Sequence, residues 1–277
     1  MALSDGLLHY WKLDELTGTT AYDSHGSLNG FYSGLDATIP NTIGESGIIN
    51  TCFHGKYGLN DGIYFNSGYA DLNFEYNQPF SFNVWVNLDI INNEQSFIGK
   101  ITTSERGYFF GLDNAGRVWV ELSNDNSHVI IQKESTPSIT TGNWYMVTIT
   151  YDGSGSYSGI KMYVNGILRT SSNIYNGLGT LTINGNAKFL IGANDDNIDE
   201  QIRGKIDEVG AWNRVLTSGE TVQLYNSGSG MTYEEFLNAG TIASGQTICY
   251  NGNPAAFTSV ADASGGVTGY TYQWQYS

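Results

Sequence analysis

RGKIDEVGAWNRVLT, residues 203–217, is the stretch on which the fold of this chain turns. Side chains alternate along an extended strand. Simple alternation puts Ile206, Glu208, Gly210 and Trp212 on one side and Asp207, Val209 and Ala211 on the other. Apolar groups fall on both sides, which predicts an interior strand. Thr217 followed by Glu220 forms a capping-box signature, and Val222, Leu224 and Tyr225 supply the apolar side of a helix that ends near Asn226 and Gly228. Such a helix has only about two turns, so packing rather than propensity must hold it.

Outward from this stretch, the composition fits an all-β protein. The chain has 277 residues, 40% apolar and 13% aromatic, with Gly 35 and Pro 4. It is long enough for one large domain and a smaller one. Aromatic residues suit half-buried pleated surfaces, and glycine supplies the positive φ that short turns need. Lys+Arg 12 against Asp+Glu 27 gives a net charge of -15, which repels phosphate backbones and anionic lipid. Nucleic-acid binding and membrane insertion are therefore not expected. No apolar run approaches the ~20 residues of a membrane span, and the N-terminal residues MALSDGLLHYWKLDE do not read as a secretion signal.

FSFNVWVNL (80–88) alternates Phe80, Phe82, Val84, Val86 and Leu88 against Ser81, Asn83, Trp85 and Asn87, a period of two. Further strands are expected at 6–13, 96–101, 107–113, 117–123, 128–133, 144–152, 160–165, 167–172 and 188–193. The residues Asn165-Gly166 favour a type I′ hairpin turn, and 114–116 is a second hairpin signal. About a dozen antiparallel strands should split into two packed sheets. After Tyr225 the composition shifts: NSGSG (226–230) reads as a joint, MTYEEFLNAG as one helical turn, and 241–277 as a new β-rich segment. The expected division is a domain at 1–228, a linker at 229–240 and an incomplete domain at 241–277, with the sequence continuing past Ser277 in a longer protein.

Six segments in order, 7–26, 80–87, 143–153, 160–168, 189–193 and 204–220, resemble the laminin G-like, concanavalin A-like jelly-roll domains of the bacterial type. The segment 241–277 resembles the start of an immunoglobulin-like repeat of Bacteroidetes surface adhesins, with Cys249 and Trp274 at its strand B and strand C positions. The first resemblance implies a two-sheet antiparallel jelly roll and a structural calcium ion. The matching positions are Asp23 and Asp207, with Asn29 and loop carbonyls as further oxygen donors. Calcium takes six to eight oxygen ligands. The same residues have a second reading, Asp23 as an Asx-turn former and Asp207 as a buried, hydrogen-bonded carboxylate.

Other motifs point away from chemistry. Asp195, Asn197 and Asp199 have the spacing of an EF-hand loop, but the sixth position is Glu200 and the twelfth Ile206, where glycine and glutamate are needed. This is expected to be a solvated acidic loop. Cys52 and Cys249 are too few for a structural zinc site, and the histidines at 9, 25, 54 and 128 are scattered in sequence. Cys52 reads as a reduced, partly buried thiol. No run of alternating carboxylates occurs, and simple alternation turns Asp207 away from Glu208, so no catalytic residues are expected. Trp85, Trp119, Tyr108 and Tyr157 are candidates for stacking on sugar rings, each with sheet packing as its ordinary role.

These features predict a non-catalytic, lectin-like binding or adhesion module, extracellular or at a cell surface, whose partner is a surface glycan or protein. Two other settings share the same sequence features. One is a fibre or decoration protein on a virion of a phage infecting Bacteroidetes, with oligomer or virion assembly; the other is an accessory module of a secreted glycoside hydrolase.

Overall fold

The computed structural model describes residues 2–33, 42–56, 62–102, 105–125, 128–194, 200–236, 241–242 and 259–261. Two antiparallel sheets pack face to face in a jelly-roll sandwich. The first has eight strands. Its path runs β14 (Ile167–Leu168), β13 (Ile160–Val164), β12 (Tyr145–Tyr151), β7 (Phe80–Leu88), β17 (Arg203–Trp212), β5 (Thr51–Lys56) and β4 (Thr42–Ser46). Strand β1 (Leu7–Trp11) pairs with the second half of β17, as β5 does with the first. The second sheet has nine strands. They run β15 (Ser171–Asn176), β11 (His128–Glu134), β10 (Val118–Asp125), β9 (Glu105–Leu112), β8 (Gln95–Thr102), β16 (Leu190–Ile191), β6 (Gly62–Tyr64), β3 (Gly30–Ser33) and β2 (Thr20–Ala21).

The core between the sheets is aromatic. Phe80 and Phe82 from β7 meet Phe110 and Tyr108 from β9, with ring centroids 5.2–6.1 Å apart. Trp11, Phe65 and Phe189 form a second group in the same layer. Such offset and edge contacts add to the stabilisation from buried area. The Asn165-Gly166 turn adopts φ of 54° and 73°, the left-handed pair a type I′ hairpin requires.

The capping box is present. Thr217 Oγ1 accepts from the Glu220 amide at 3.2 Å and the Glu220 carboxylate accepts from the Thr217 amide at 2.7 Å. The helix α1 spans Ser218–Tyr225 and closes on Asn226 in the left-handed conformation. It packs on the outer face of the first sheet, where Trp85, Met146, Trp212 and Leu224 make a second apolar cluster with Leu3, Leu7 and Tyr10. This cover explains why β7 is buried on both faces although its outer residues are mostly polar. Ser81 Oγ donates to the Arg214 carbonyl and accepts from the Leu216 amide, and Thr148 Oγ1 donates to Asn83 Oδ1.

Residues 230–236, expected as linker, also dock on this face. Tyr233 stacks on Tyr10 at 5.4 Å, and its hydroxyl lies 3.0 Å from His25 Nδ1. The expected helical turn is a short 3-10 helix at Tyr233–Phe236. The immunoglobulin-like repeat expected at 241–277, including Cys249 and Trp274, lies almost wholly outside the described residues; within them Thr241–Ile242 pairs with Ser259–Ala261. The acidic loop positions Asp195, Asn197 and Asp199 are also outside. No helix among the described residues is long and apolar enough to cross a membrane.

One expectation about β17 is corrected. Its register against β7 pairs Asp207 with Trp85 but Gly210 with Asn83, so β17 carries one extra residue there. Glu208 takes φ of 49° within this bulge. A bulge breaks the period of two. Ile206, Val209 and Ala211 therefore face the inter-sheet core, whereas Trp212 joins the outer cluster. Asp207 and Glu208 are not split between opposite faces as alternation predicts.

Candidate functional site

His9 sits on β1 at a second irregularity: Leu7 pairs with Trp212 and His9 with Ala211, leaving Leu8 as an extra residue. The His9 ring stacks on Trp11 at 5.3 Å, and both of its nitrogens meet carboxylates. Nδ1 is 2.7 Å from Asp23 Oδ2, and Nε2 is 3.0 Å from Asp71 Oδ2. The Asp23 side chain is fully buried and saturated with donors. Its Oδ1 accepts from the amides of Tyr10, His25 and Gly26, and its Oδ2 from that of Leu28, all within 3.1 Å. The loop can close this tightly because residue 26 is glycine, where a Cβ would lie 2.6 Å from both Asp23 Oδ2 and His9 Nδ1.

Burial opposes charge on His9, but the two carboxylates outweigh it and raise its pKa to about 9. Burial likewise works against the Asp23 anion, and the His9 and amide hydrogen bonds overcome it and hold Asp23 below its ordinary value. Asp71 is lowered too, chiefly by its hydrogen bond from His9. Asp23, His9 and Asp71 thus form a charged row that starts in the core and ends at the surface, where the Asp71 side chain is 47% exposed.

Asp71 opens onto a cleft of about 360 Å³ at the end of the sandwich where β7 starts and β17 finishes. Asn73, Gln78 and Asn213 share the polar lining, and Leu8, Phe74 and Pro79 the apolar part. The wall is held from below. Leu72 is buried and its carbonyl accepts from the Tyr108 hydroxyl at 3.1 Å, while Phe74 stacks on Phe80 at 4.7 Å. Gln78 Oε1 accepts from the Glu75 amide at 2.8 Å, closing the loop on itself. Asn73 Oδ1 is buried and has no hydrogen-bond partner among the described residues. A buried acceptor left unmet costs free energy. A few fixed polar groups over an apolar floor, in a hollow of this size, is the usual make-up of a small-molecule site.

A second hollow of about 220 Å³ lies where β17 begins, lined by His54, Lys56, Asp89 and Arg203 among others. His54 pairs with Glu45 and Asp89 at 2.9 and 2.8 Å, and Lys56 with Glu45 at 2.8 Å.

The residues expected to bind calcium do not form one donor set. Asn29 Oδ1 accepts from the Asp23 amide at 2.9 Å, and both oxygens of Asp23 are filled by N–H groups. Asp207 turns elsewhere, its Oδ2 accepting from the amides of Ile48 and Ile49 and its Oδ1 from that of Glu208. Among the described residues no group of three or more His, Cys, Asp and Glu side chains is arranged to hold a metal. Calcium needs free oxygens, and these are occupied by hydrogen-bond donors, so the donor set does not fit the ion.

Asp207 and Glu208 are sealed under the outer cluster, with the Tyr10 hydroxyl donating to Glu208 Oε2 at 2.5 Å. Burial pushes both acids up, Glu208 to about 8 and Asp207 also well above its ordinary value. Cys52 is buried and unpaired as a thiol, and burial lifts it to about 12. Among the stacking candidates, Trp85 lies under α1 against Tyr225 and Tyr108 is in the core. Trp119 packs on Phe109 at 5.1 Å, and Tyr157 alone of the four is exposed. His9, Asp71, Asn73, Gln78 and Asn213 do not stand out in the sequence. The segment 71–78, in which polar residues alternate with Leu72, Phe74 and Tyr76 before Pro79, is the one local signal for the cleft.

Residues 58–221 match the family model of the concanavalin A-like lectin/glucanases superfamily, a span of more than half the chain. The chain belongs to this superfamily. Residues 238–277 match a separate domain of unknown function. No curated protein matches the sequence. Among solved structures, the superfamily member described here resembles the binding domain of Paraclostridial mosquitocidal protein 1, with a TM-score of 0.58 and 17% identity over 81% of this chain and 53% of that one. It also resembles domain 4 of AbnA, an extracellular arabinanase from Geobacillus stearothermophilus, in complex with arabinotriose, with a TM-score of 0.51 and 20% identity over 78% of this chain and 97% of that one. A third likeness is to Trypanosoma rangeli sialidase in complex with sialic acid, with a TM-score of 0.56 and 16% identity over 83% of this chain and 35% of that one. The chain thus spans about half of the mosquitocidal binding domain and a third of the sialidase. At 20% identity or below these likenesses establish the jelly-roll fold.

Proposed function

We propose that this domain is a non-catalytic glycan-binding module and that the cleft beside Asp71 is its binding site. One observation carries this reading: a half-exposed carboxylate fixed by His9 shares a cleft with the amides of Asn73, Gln78 and Asn213 over an apolar floor. Sugar hydroxyls donate to such acceptors while their C–H faces cover apolar groups. Asp71 is the one carboxylate among the residues lining the cleft. Glycosidases work with two flanking the bond, so the arrangement supports binding without hydrolysis. The toxin binding domain and the arabinotriose-bound arabinanase domain, which share the fold, add to the case. An extracellular setting, at a cell surface, on a virion or beside a hydrolase, suits a module that presents loops at the end of a sandwich.

The test is a glycan array probed with the full chain and with Asp71→Ala and Asn213→Ala. Retained folding with binding weakened about tenfold or more by each substitution, roughly 1.4 kcal/mol, is the expected result. Binding that neither variant disturbs would place the site elsewhere.

A further inference from the structure

The cleft also carries information on ligand charge. We infer that it selects uncharged, hydroxyl-rich sugars and rejects sugars bearing a carboxylate, an inference that rests on the cleft being the glycan site. Among the described residues lining the cleft, the one charged side chain is Asp71, and its half-exposed carboxylate is an acceptor. An ionised carboxylate on a ligand is acceptor-only and cannot donate to Asp71, whereas a hydroxyl can. No Lys or Arg is among the described residues that line the cleft.

The charge behind the wall acts in the same direction. His9 is committed on both nitrogens to Asp23 and Asp71, so its proton does not face the cleft. Counting Asp23 and Asp71 as anions and His9 as a cation, the row carries one net negative charge, in keeping with the raised pKa of His9 and the lowered values of the two acids. The protein as a whole, at -15, adds a repulsive field rather than a compensating one. An acidic sugar entering here would bring an unpaired anion to a carboxylate in a partly desolvated hollow.

The experiment sets each neutral oligosaccharide of an array beside its sialylated or uronate-capped counterpart and probes both with the full chain. Neutral members should bind at least about tenfold more tightly than acidic ones, a difference that shrinks as salt is raised. Asp71→Asn, which keeps shape and removes charge, should cut the discrimination to about threefold or less. Gln78→Lys, at an exposed cleft position, should bring acidic members up to the level of neutral ones. Thermal unfolding of both variants checks that they fold. Equal or tighter binding of acidic members by the unaltered chain overturns the charge selection and leaves the glycan reading standing. Binding to no member overturns both.

Discussion

At the residue scale, the row from Asp23 through His9 to Asp71 predicts how the domain responds to pH and to metal. The folded pKa of His9 is about 9 against an ordinary 6.5, so its contribution is fully present below pH 6.5 and lost as pH rises through 9. The shift corresponds to about 3 kcal/mol. His9→Asn should therefore unfold more easily than the unaltered chain by roughly that much near pH ~6 and by far less near pH ~10, read from urea unfolding. A gap that does not change with pH would mean that His9 acts by packing alone. Asp23→Ala removes the acceptor of five hydrogen bonds, three from its own loop and two from β1, and should cost at least about 2–3 kcal/mol. That loss should be the same with calcium or with chelator, since N–H groups fill the Asp23 oxygens. A calcium-dependent rise in melting temperature, abolished by Asp23→Ala, would reinstate the ion. Asp23 as an organiser of its loop was legible from AYDSHG, because the side chain bonds its own backbone two and three residues on. Asp71, in the 3-10 turn Ala70–Leu72, was not, because its partner His9 is 62 residues away on β1.

At the scale of elements, the strands followed from their period of two and the helix from its cap. Phe80–Leu88 and Arg203–Trp212 are the strands that alternation and apolar content predicted. The bulge at Glu208 was hidden, because an extra residue is defined only by the register of the neighbouring strand. It brings two acids under one apolar cover, and their titration should shape stability. Glu208, raised from 4.5 to about 8, stabilises most below its ordinary value and ceases to contribute above about pH 8. Stability of the unaltered chain should fall across that window, and Glu208→Gln should flatten the decline by up to about 1.4 kcal/mol per pH unit. An unchanged slope in the variant would show that Asp207 takes the proton instead. Beyond the strand, Thr217→Ala removes the cap of α1 and should cost about 1 kcal/mol.

At the scale of the whole molecule, the sandwich holds two apolar layers, one between the sheets and one under α1 and residues 230–236. Ending the chain after residue 228 uncovers Tyr10 and removes Tyr233, which is 8% exposed. That truncation should lower stability by about 2–3 kcal/mol, whereas ending it after residue 240 keeps the layer. Equal stability of the two would mean that the segment adds nothing to the domain. The sequence by itself determined the all-β class, the two packed sheets, the long interior strand and the capped helix. These rest on short-range periodicity and on neighbours three or four residues apart. Only the tertiary structure decided which face Asp207 and Glu208 share, that the calcium-pattern residues spend their oxygens on N–H groups, and that His9 aims Asp71 into a cleft. Those outcomes depend on register and on contacts between residues distant in the chain, which local pattern does not encode.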